Sequence, residues 1–243
     1  MNLIIDIGNT FVKFAVFEAD RMLYSTRIEG SLLKIEYQKI KEIYPKLSKA
    51  IVASVGLLKP SAFDFIKSDL SVIVLSSETN LPFINKYKTP KTLGVDRLAL
   101  VSGAVKKFPH KNVLIIDAGT CITYDFITAE NTYLGGAISP GLRLRYKSLH
   151  DLTANLPLLE TSNPVDITGN STDAAIHSGV VHGIIYEIDA VIERYQKKYP
   201  DLTVILTGGD AYFLSNQLKN SIFANSNFLL EGLNFIIEYN LKQ

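Results

Sequence analysis

Leu3-Ile4-Ile5-Asp6-Ile7-Gly8-Asn9-Thr10 is an apolar run that ends in an acid and a glycine, and residues 114–120 repeat it as Leu-Ile-Ile-Asp-Ala-Gly-Thr. The offset from Asp6 to Asp117 is 111 residues (117 − 6), close to half of the 243-residue chain. Each copy is followed by a second apolar run, a polar turn and a third extended run, which is the pattern of an antiparallel meander. The repeat therefore predicts two halves that open in the same way, with a boundary near residue 110, where Phe108-Pro109-His110 ends a helix.

Farther from the repeat, the pattern predicts strands that alternate with helices. Lys49 to Val55 and Val72 to Leu75 are predicted to be buried strands on either side of a helix near residues 60–70. Strands that follow helices join a sheet as parallel neighbours through right-handed crossovers. In the second half the predicted elements are a long helix over Thr172 to Tyr199, a strand at Val204 to Leu206 and an amphipathic helix over Asn227 to Leu241.

Composition and charge restrict the classes of partner. The 25 basic and 24 acidic residues give a net charge of +1 and are mixed along the chain, so they predict neither nucleic-acid binding nor attraction to an anionic membrane. Cys121 is the single cysteine, which excludes an intrachain disulfide and suits a reducing compartment. The N-terminus reaches Asp6 too early for a signal peptide, and no apolar stretch approaches the ~20 residues that span a bilayer. We therefore expect a cytoplasmic α/β protein.

The acid-glycine turn at Asp6 has residue types that suit a phosphate site. Gly8 allows the backbone to approach a ligand because it has no Cβ. The turn N–H groups, with Asn9 and Thr10, can donate to phosphate oxygens, while Asp6 can hold Mg²⁺ directly or through water. Lys13 can add a positive charge. A hairpin turn without a ligand contains the same residue types, so one copy alone leaves both interpretations open.

The second copy favours the nucleotide interpretation. Asp117-Ala118-Gly119-Thr120 supplies a second phosphate loop, and Thr207-Gly208-Gly209-Asp210, after a further strand, supplies a shelf for a purine. The arrangement resembles the fold shared by actin, hexokinase and the 70-kDa heat-shock ATPases. This resemblance implies duplicated ribonuclease H-like (actin-like ATPase) domains over residues 1–110 and 111–243. Each is expected to have flanking helices and a mixed five-stranded sheet that opens with an antiparallel meander.

Further motifs make the resemblance more specific. Gly94-Val95-Asp96-Arg97, with Tyr87 seven residues before the glycine, is similar to the G-[AT]-D-R segment of type III pantothenate kinases. Both acid-glycine turns, residues 135–141 and residues 171–179 match that family in order and rough spacing, so the resemblance spans nearly the whole chain. Two departures are Val95 in place of a smaller residue and Ser171 where Asn is common, and both bear on the shape of the pocket.

The resemblance implies a role for each matching position. The implied ATP-binding residues are Asp6, Ile7, Gly8, Asn9, Thr10, Phe11, Val12, Lys13 and Thr120. The implied pantothenate-binding residues are Tyr87, Gly94, Val95, Asp96, Arg97 and Thr172. Asp96 is implied as the catalytic base, and Asp117 as the ligand of a monovalent cation, K⁺ or NH₄⁺. The family also implies ATP as co-substrate, Mg²⁺ as cofactor and a homodimer, whose interface is expected near Thr172 and the Gly179/Gly183 pair of the long helix.

The chemistry of phosphoryl transfer also supports Asp96 as a base, and a structural role is the alternative. Phosphoryl transfer to an alcohol needs a hydroxyl in line with the γ-phosphate and an acceptor for its proton, and a carboxylate can be that acceptor. Asp96 also precedes a predicted helix that starts at Arg97, so it can instead be an N-cap.

Several other positions have an alternative structural interpretation. Thr172 can cap the long helix, Tyr87 can be an ordinary loop residue, and Arg97 can form an internal ion pair instead of binding a carboxylate. The Gly135-Gly136 pair is predicted to allow tight backbone packing. Cys121 is predicted to be a small core residue, and the four histidines form no metal-ligand pattern.

The resulting hypothesis is a pantothenate kinase that converts pantothenate to 4′-phosphopantothenate for coenzyme A synthesis. Two alternatives stay open, a sugar or acid kinase of the same fold and a nucleotide-binding regulator without turnover. A regulator needs no base to deprotonate an alcohol, so Asp96 argues against it. Phosphorylation of a sugar without phosphorylation of pantothenate would select the other kinase.

Overall fold

A computed structural model describes residues 1–8, 11–54 and 63–241 of the chain. The chain divides into two compact units, Met1–Pro109 with Asn227–Gln243, and His110–Ser226. The break between the units falls inside the predicted helix-breaking segment at residue 110. The last helix, which was predicted to belong to the second half, groups with the first unit instead.

The first unit contains a sheet in the order β3-β2-β1-β4-β5. Strands β1, β2 and β3 form the predicted antiparallel meander, and β4 and β5 add in parallel on the other side of β1. All six residues of β1 are buried, as expected for a central strand that is covered on both faces. The strands are β1 (Asn2–Ile7), β2 (Val12–Glu18), β3 (Arg21–Ile28), β4 (Lys49–Ser54) and β5 (Ser71–Val74).

Helices and a long loop complete this unit's first 109 residues. The loop predicted between β5 and the next helix contains the short strand β6 (Ile84–Asn85) and a 3₁₀ turn at Pro90–Thr92. Strand β5 is exposed at both ends because it lies at an edge of the sheet, so the prediction of a fully buried strand there was wrong. The helices are α1 (Leu33–Ile43), α2 (Asp64–Lys67) and α3 (Val95–Lys107).

The second unit repeats the strand order of the first. Its strands follow the order β9-β8-β7-β10-β11, with an antiparallel meander and then two parallel additions. The strands are β7 (Val113–Ala118), β8 (Cys121–Ile127), β9 (Thr132–Pro140), β10 (Thr203–Thr207) and β11 (Phe223–Ala224), and the helices are α4 (Leu142–Asp151), α5 (Thr172–Lys198) and α6 (Ala211–Ser215). The predicted duplication of a mixed α/β unit is confirmed.

The C-terminal helix α7 (Phe228–Leu241) is fixed to the first unit by close packing and buried hydrogen bonds. The Asn2 amide donates to the Asn234 side-chain oxygen at 2.8 Å, and the Asn234 amide donates to the Ala19 carbonyl at 2.8 Å. Helices α3 and α7 approach at two glycines, since a Cβ on Gly103 would lie 3.3 Å from the Cα of Gly232. These contacts explain why a helix that follows the second unit in sequence belongs to the first in space.

Helix α5 is long and apolar enough to satisfy a membrane-span criterion of length and composition. The expectation that no apolar stretch approaches the length needed to span a bilayer was therefore wrong for this helix. Half of the most apolar 18 residues of this helix are buried inside the protein. Ile184, Ile188 and Ile192 are fully buried in the hydrophobic core of the second unit. The apolar composition of α5 is accounted for by this packing.

Candidate active site

Asp6 lies near the end of β1, and the residue is 6 % exposed. Its cross-strand neighbour is Lys13, whose Nζ is 3.9 Å from Asp6 Oδ2. The turn after β1 is closed by a hydrogen bond from the Gly8 N–H to the Phe11 carbonyl at 3.0 Å. The other two predicted residues of this turn, Asn9 and Thr10, lie outside the described residues.

The remaining positions of the predicted ATP loop differ in what they can offer a ligand. The side chains of Ile7 and Val12 are buried in the core of the first unit, so a ligand can reach only their backbone atoms. Phe11 is half-buried, and the Arg27 guanidinium lies over its ring, 3.7 Å from the centroid. Arg27 was not predicted, because it lies on β3 and belongs to none of the motifs.

Burial and a neighbouring charge change the acidity of Asp6. Burial raises its pKa from 3.8 to about 6, Lys13 opposes the rise, and the negative charge of Asp96 adds to it. The negative charge of Asp96, the predicted base, therefore acts on Asp6, a predicted ATP- and Mg²⁺-binding residue of the same unit. A cation at this site would relieve both the burial and the repulsion.

We predict that the raised pKa makes the ligand-free protein less stable as the pH rises from about 4 to about 6. Between 3.8 and about 6 the folded protein holds the Asp6 proton more tightly than the unfolded chain, so stability falls as the pH increases. The pKa difference corresponds to roughly 3 kcal/mol at 1.36 kcal/mol per pH unit. Urea denaturation of wild type and Asp6→Asn between pH 4 and 7.5 measures the free energy of unfolding. The variant should gain stability relative to wild type as the pH rises. Parallel curves would contradict the prediction.

Asp96 is the second residue of α3 and not its N-cap. The helix begins at Val95 after Gly94, and Gly94 makes no side-chain cap. The Asp96 carboxylate accepts a hydrogen bond from the Arg97 N–H at 2.8 Å. Burial raises the pKa of Asp96, and Arg97 opposes the rise through its N–H and its charge. The N-cap alternative was therefore wrong about position, although the carboxylate does accept a hydrogen bond from one N–H of the first turn.

Gly94 is required by the position of the Asp96 side chain. The carboxylate folds back over Gly94 and occupies the space that a Cβ at residue 94 would need. A larger residue at 94 would push the carboxylate aside. This contact gives a physical reason for a glycine two residues before the predicted base.

Arg97 and Tyr87, two predicted substrate-binding residues, contact each other at the start of helix α3. The Arg97 guanidinium lies 5.5 Å from the centroid of the Tyr87 ring, and Arg97 is 5 % exposed. The Tyr87 N–H donates to the Asn85 side-chain oxygen at 2.9 Å, which fixes the loop that carries the ring. Tyr87 is thus positioned by specific contacts, and Val95 is half-buried on the same helix turn.

The second acid-glycine turn is one residue shorter than the first. Ala118 pairs with Ile122, whereas Ile7 pairs with Val12 in the first hairpin. The Gly119 N–H donates to the Cys121 carbonyl at 3.0 Å to close the turn. The residue opposite Asp117 is Thr123, whereas the residue opposite Asp6 at the same place in the first hairpin is Lys13.

Thr120 and Cys121 are both exposed at this turn. The prediction that Cys121 is a core residue was wrong. Alternate residues of β8 point to opposite faces, and Ile122 takes the buried direction at the start of the strand. Thr120 is accessible to a ligand, as its implied role requires.

The third predicted turn lies directly beside the second. Strand β10 pairs with β7 so that Thr207 is next to Asp117, and the Asp210 N–H donates to the Ala118 carbonyl at 2.9 Å. Gly208 has φ of +98°, a conformation that favours glycine, and a Cβ there would collide with the Ala118 carbonyl and the Asp117 carboxylate. Burial raises the pKa of Asp210, and Arg143 opposes the rise. The two motifs therefore form one surface of the second unit.

The junction between β9 and α4 supports the second turn from behind. The Gly141 N–H donates to the Thr120 carbonyl at 3.1 Å, and a Cβ on Gly141 would collide with the carbonyls of Gly119 and Thr120. Gly136 packs just as closely on the backbone of Tyr124, which confirms the prediction of tight packing at that glycine. Gly141 belongs to a predicted motif, but its hydrogen bond to the backbone of Thr120 was not predicted.

Thr172 is the first residue of α5, and its N-cap is Ser171. The Ser171 hydroxyl accepts a hydrogen bond from the Ala174 N–H at 3.2 Å. The alternative in which Thr172 is the cap was therefore wrong. Ser is as good a cap as Asn, so the departure at residue 171 preserves the start of the helix, and Thr172 stays exposed.

The duplicated sheet order, with an acid-glycine turn after the first strand of each unit, is that of the actin-like ATPase fold. Structures of this fold include the activator of the 2-hydroxyisocaproyl-CoA dehydratase from Clostridium difficile with bound ADPNP, at a TM-score of 0.55 and 12 % identity over 100 % of this chain and 97 % of the other. A glucokinase from an Antarctic psychrotroph aligns at a TM-score of 0.54 and 12 % identity, over 98 % of each chain.

Sequence comparison places the chain more narrowly. The family model for type III pantothenate kinase matches residues 2–194. A type III pantothenate kinase from Flavobacterium johnsoniae is 52 % identical over 241 residues, which cover 99 % of both chains. The chain belongs to the type III pantothenate kinase family.

Proposed function

We propose that this chain transfers the γ-phosphate of ATP to the primary hydroxyl of pantothenate, giving 4′-phosphopantothenate in the first step of coenzyme A synthesis. Family membership over residues 2–194 supports the reaction class and the acceptor. The arrangement that supports the assignment to residues is buried Asp6 near the end of β1 and half-buried Asp96 in the first turn of α3, where the negative charge of Asp96 helps to raise the pKa of Asp6. Two carboxylates of one unit whose pKa values are both raised are more typical of a functional site than of a core.

Asp96 is the proposed general base. As the hydroxyl oxygen attacks the γ-phosphorus, its proton passes to the Asp96 carboxylate and the bond from phosphorus to the β,γ-bridging oxygen breaks, leaving ADP. Burial makes Asp96 a stronger proton acceptor than an exposed aspartate. The hydrogen bond from the Arg97 N–H orients the carboxylate on rigid helix α3.

Asp6, Lys13 and the turn after β1 are the proposed contacts to the phosphates of ATP. The N–H groups of such a turn point toward anions, and Lys13 lies beside the carboxylate at 3.9 Å. The residues fit Mg²⁺, since Asp6 is a hard oxygen donor whose burial and neighbouring Asp96 favour a cation. Bound Mg²⁺ would neutralise the phosphate charge that develops during transfer.

Pantothenate is proposed to bind at Tyr87, Gly94 to Arg97, and Thr172. Arg97 presents a planar fork of donors that suits a carboxylate, and the acceptor carries one. Its position against the Tyr87 ring limits the directions that the guanidinium can take. The exposed Thr172 hydroxyl is a further donor.

The remaining assignments concern the second unit and the assembly. Thr120 is the proposed second ATP contact, and Asp117 the proposed ligand for K⁺ or NH₄⁺. We also propose a cytoplasmic homodimer. The face of α5 at Gly179 supports a dimer contact, because it is exposed and, among the described residues, no other part of the chain than its own stretch of helix lies within 4 Å of the position of a Cβ there.

A coupled ADP-release assay tests the proposal. With ATP, Mg²⁺, K⁺ and pantothenate we expect rapid ADP release, which should fall to background without pantothenate and fall strongly when Na⁺ replaces K⁺. Release with a sugar and none with pantothenate would select another kinase of this fold. ATP binding without turnover on any alcohol would select a regulator. Equal rates in K⁺ and Na⁺ would contradict the cation assignment alone.

A further inference from the structure

Arg145 and Glu187 form a polar cluster behind the second acid-glycine turn. The Arg145 Nη2 donates to the Glu187 carboxylate and, at 3.0 Å, to the Ser139 hydroxyl. Glu187 also accepts from the Tyr124 hydroxyl at 2.8 Å and from the Ser139 hydroxyl at 3.0 Å. The cluster thus joins α4, α5, β8 and the end of β9.

The same guanidinium holds the junction that supports Thr120. The side-chain Nε of Arg145 donates to the Pro140 carbonyl at 3.0 Å, and the backbone N–H of Arg145 donates to the Gly141 carbonyl at 3.1 Å. Gly141 in turn donates to Thr120. A continuous chain of hydrogen bonds therefore runs from Glu187 through Arg145 and the Pro140–Gly141 junction to the backbone of Thr120.

The partners of the pair favour one fixed geometry. An arginine can bind a carbonyl and a carboxylate at the same time through its rigid fork, whereas a lysine presents a single point charge. Burial tends to raise the pKa of Glu187, but Arg145 and the two hydroxyl donors outweigh it and lower the pKa. Glu187 is therefore ionised at neutral pH and holds Arg145 in place.

We propose that Arg145 and Glu187 are positioning residues for nucleotide binding, which hold the Pro140–Gly141 junction and thereby the Thr120 loop against ATP. The proposal rests on the assignment of Thr120 as an ATP contact. It predicts an effect on nucleotide affinity that is separate from any effect on pantothenate. A pair that only stabilises the fold would lower the melting temperature without this selectivity.

The test compares Arg145→Lys and Glu187→Gln with wild type. Steady-state kinetics should show the KM for ATP raised roughly tenfold, the lower end of the effect known for residues that orient metal ligands, with the KM for pantothenate within about twofold of wild type. Titration calorimetry with ATP alone should show a loss of affinity for ATP of the same size. Because calorimetry needs no pantothenate, it tests the positioning role even if the acceptor is a different alcohol.

Glu193→Gln is the matched control. Glu193 lies on the same helix and pairs with Lys219 at 2.6 Å, with both side chains well exposed. The control should leave both KM values unchanged. Unchanged ATP affinity in Arg145→Lys and Glu187→Gln, or an equal rise in both KM values, would overturn the proposal.

Discussion

The Asp96→Asn variant should lose turnover by roughly 10²- to 10⁴-fold, which is the usual contribution of a general base. Asparagine has nearly the same shape and can still accept the hydrogen bond from the Arg97 N–H, but its amide cannot take a proton from the hydroxyl of pantothenate. The affinity for ATP should change little, since Asp96 is assigned to the acceptor and not to the nucleotide. Initial rates of ADP release at saturating substrates measure the effect.

Stability separates this result from a folding defect. Burial penalises the charged form of Asp96, so a neutral amide should leave the melting temperature equal to that of wild type or above it. Asp64→Asn is a suitable control because Asp64 is likewise in the first turn of a helix, but exposed and paired with Lys67. The control should keep full activity. Near-normal turnover in Asp96→Asn would end the assignment of Asp96 as base.

The Asp6→Asn variant should lose both turnover and affinity for Mg²⁺-ATP. We expect a fall in kcat/KM for ATP of roughly 10²- to 10³-fold, the range for removing one preorganised electrostatic contact to a reacting group. The amide keeps the volume of the side chain but supplies no negative charge for the cation. Rates measured over a series of Mg²⁺ concentrations, together with ATP titration calorimetry, would quantify the loss.

The contrast between the two variants is more informative than either alone. Asp6→Asn should weaken ATP binding and require more Mg²⁺, whereas Asp96→Asn should slow the reaction with ATP already bound. The charge of Asp96 helps to raise the pKa of Asp6, so the two sites are coupled and the double variant should lose less than the product of the single losses. Identical kinetic profiles for the two single variants would contradict the division of roles.

The repeated hairpin is what made the fold predictable. Buried strands such as residues 3–7 and 113–118 have apolar side chains on both faces, and the acid near the end of each strand, with the glycine just after it, marks where the strand ends. Both meanders and the parallel additions were therefore predictable from local pattern. The attachment of α7 to the first unit was not, because it depends on long-range contacts such as the hydrogen bond from Asn2 to Asn234.

The candidate site was predictable where motifs are local and not where contacts cross between elements. Asp6, Asp96 and Thr120 follow from short motifs. The cation–π contact of Arg27 with Phe11 and the Arg145–Glu187 pair join residues from different elements, so no motif could reveal them. Cys121 was misplaced for a related reason, since strand alternation decides its exposure and the turn length sets the alternation.

Direct identification of the product is the most decisive measurement. Wild-type protein incubated with ATP, Mg²⁺, K⁺ and pantothenate should yield a new phosphomonoester, and ¹H–³¹P correlation spectroscopy should connect its phosphorus to the methylene protons at the 4′ position of pantothenate. The same signal should build up far more slowly with Asp96→Asn. Consumption of ATP to inorganic phosphate with pantothenate left unmodified would contradict the account.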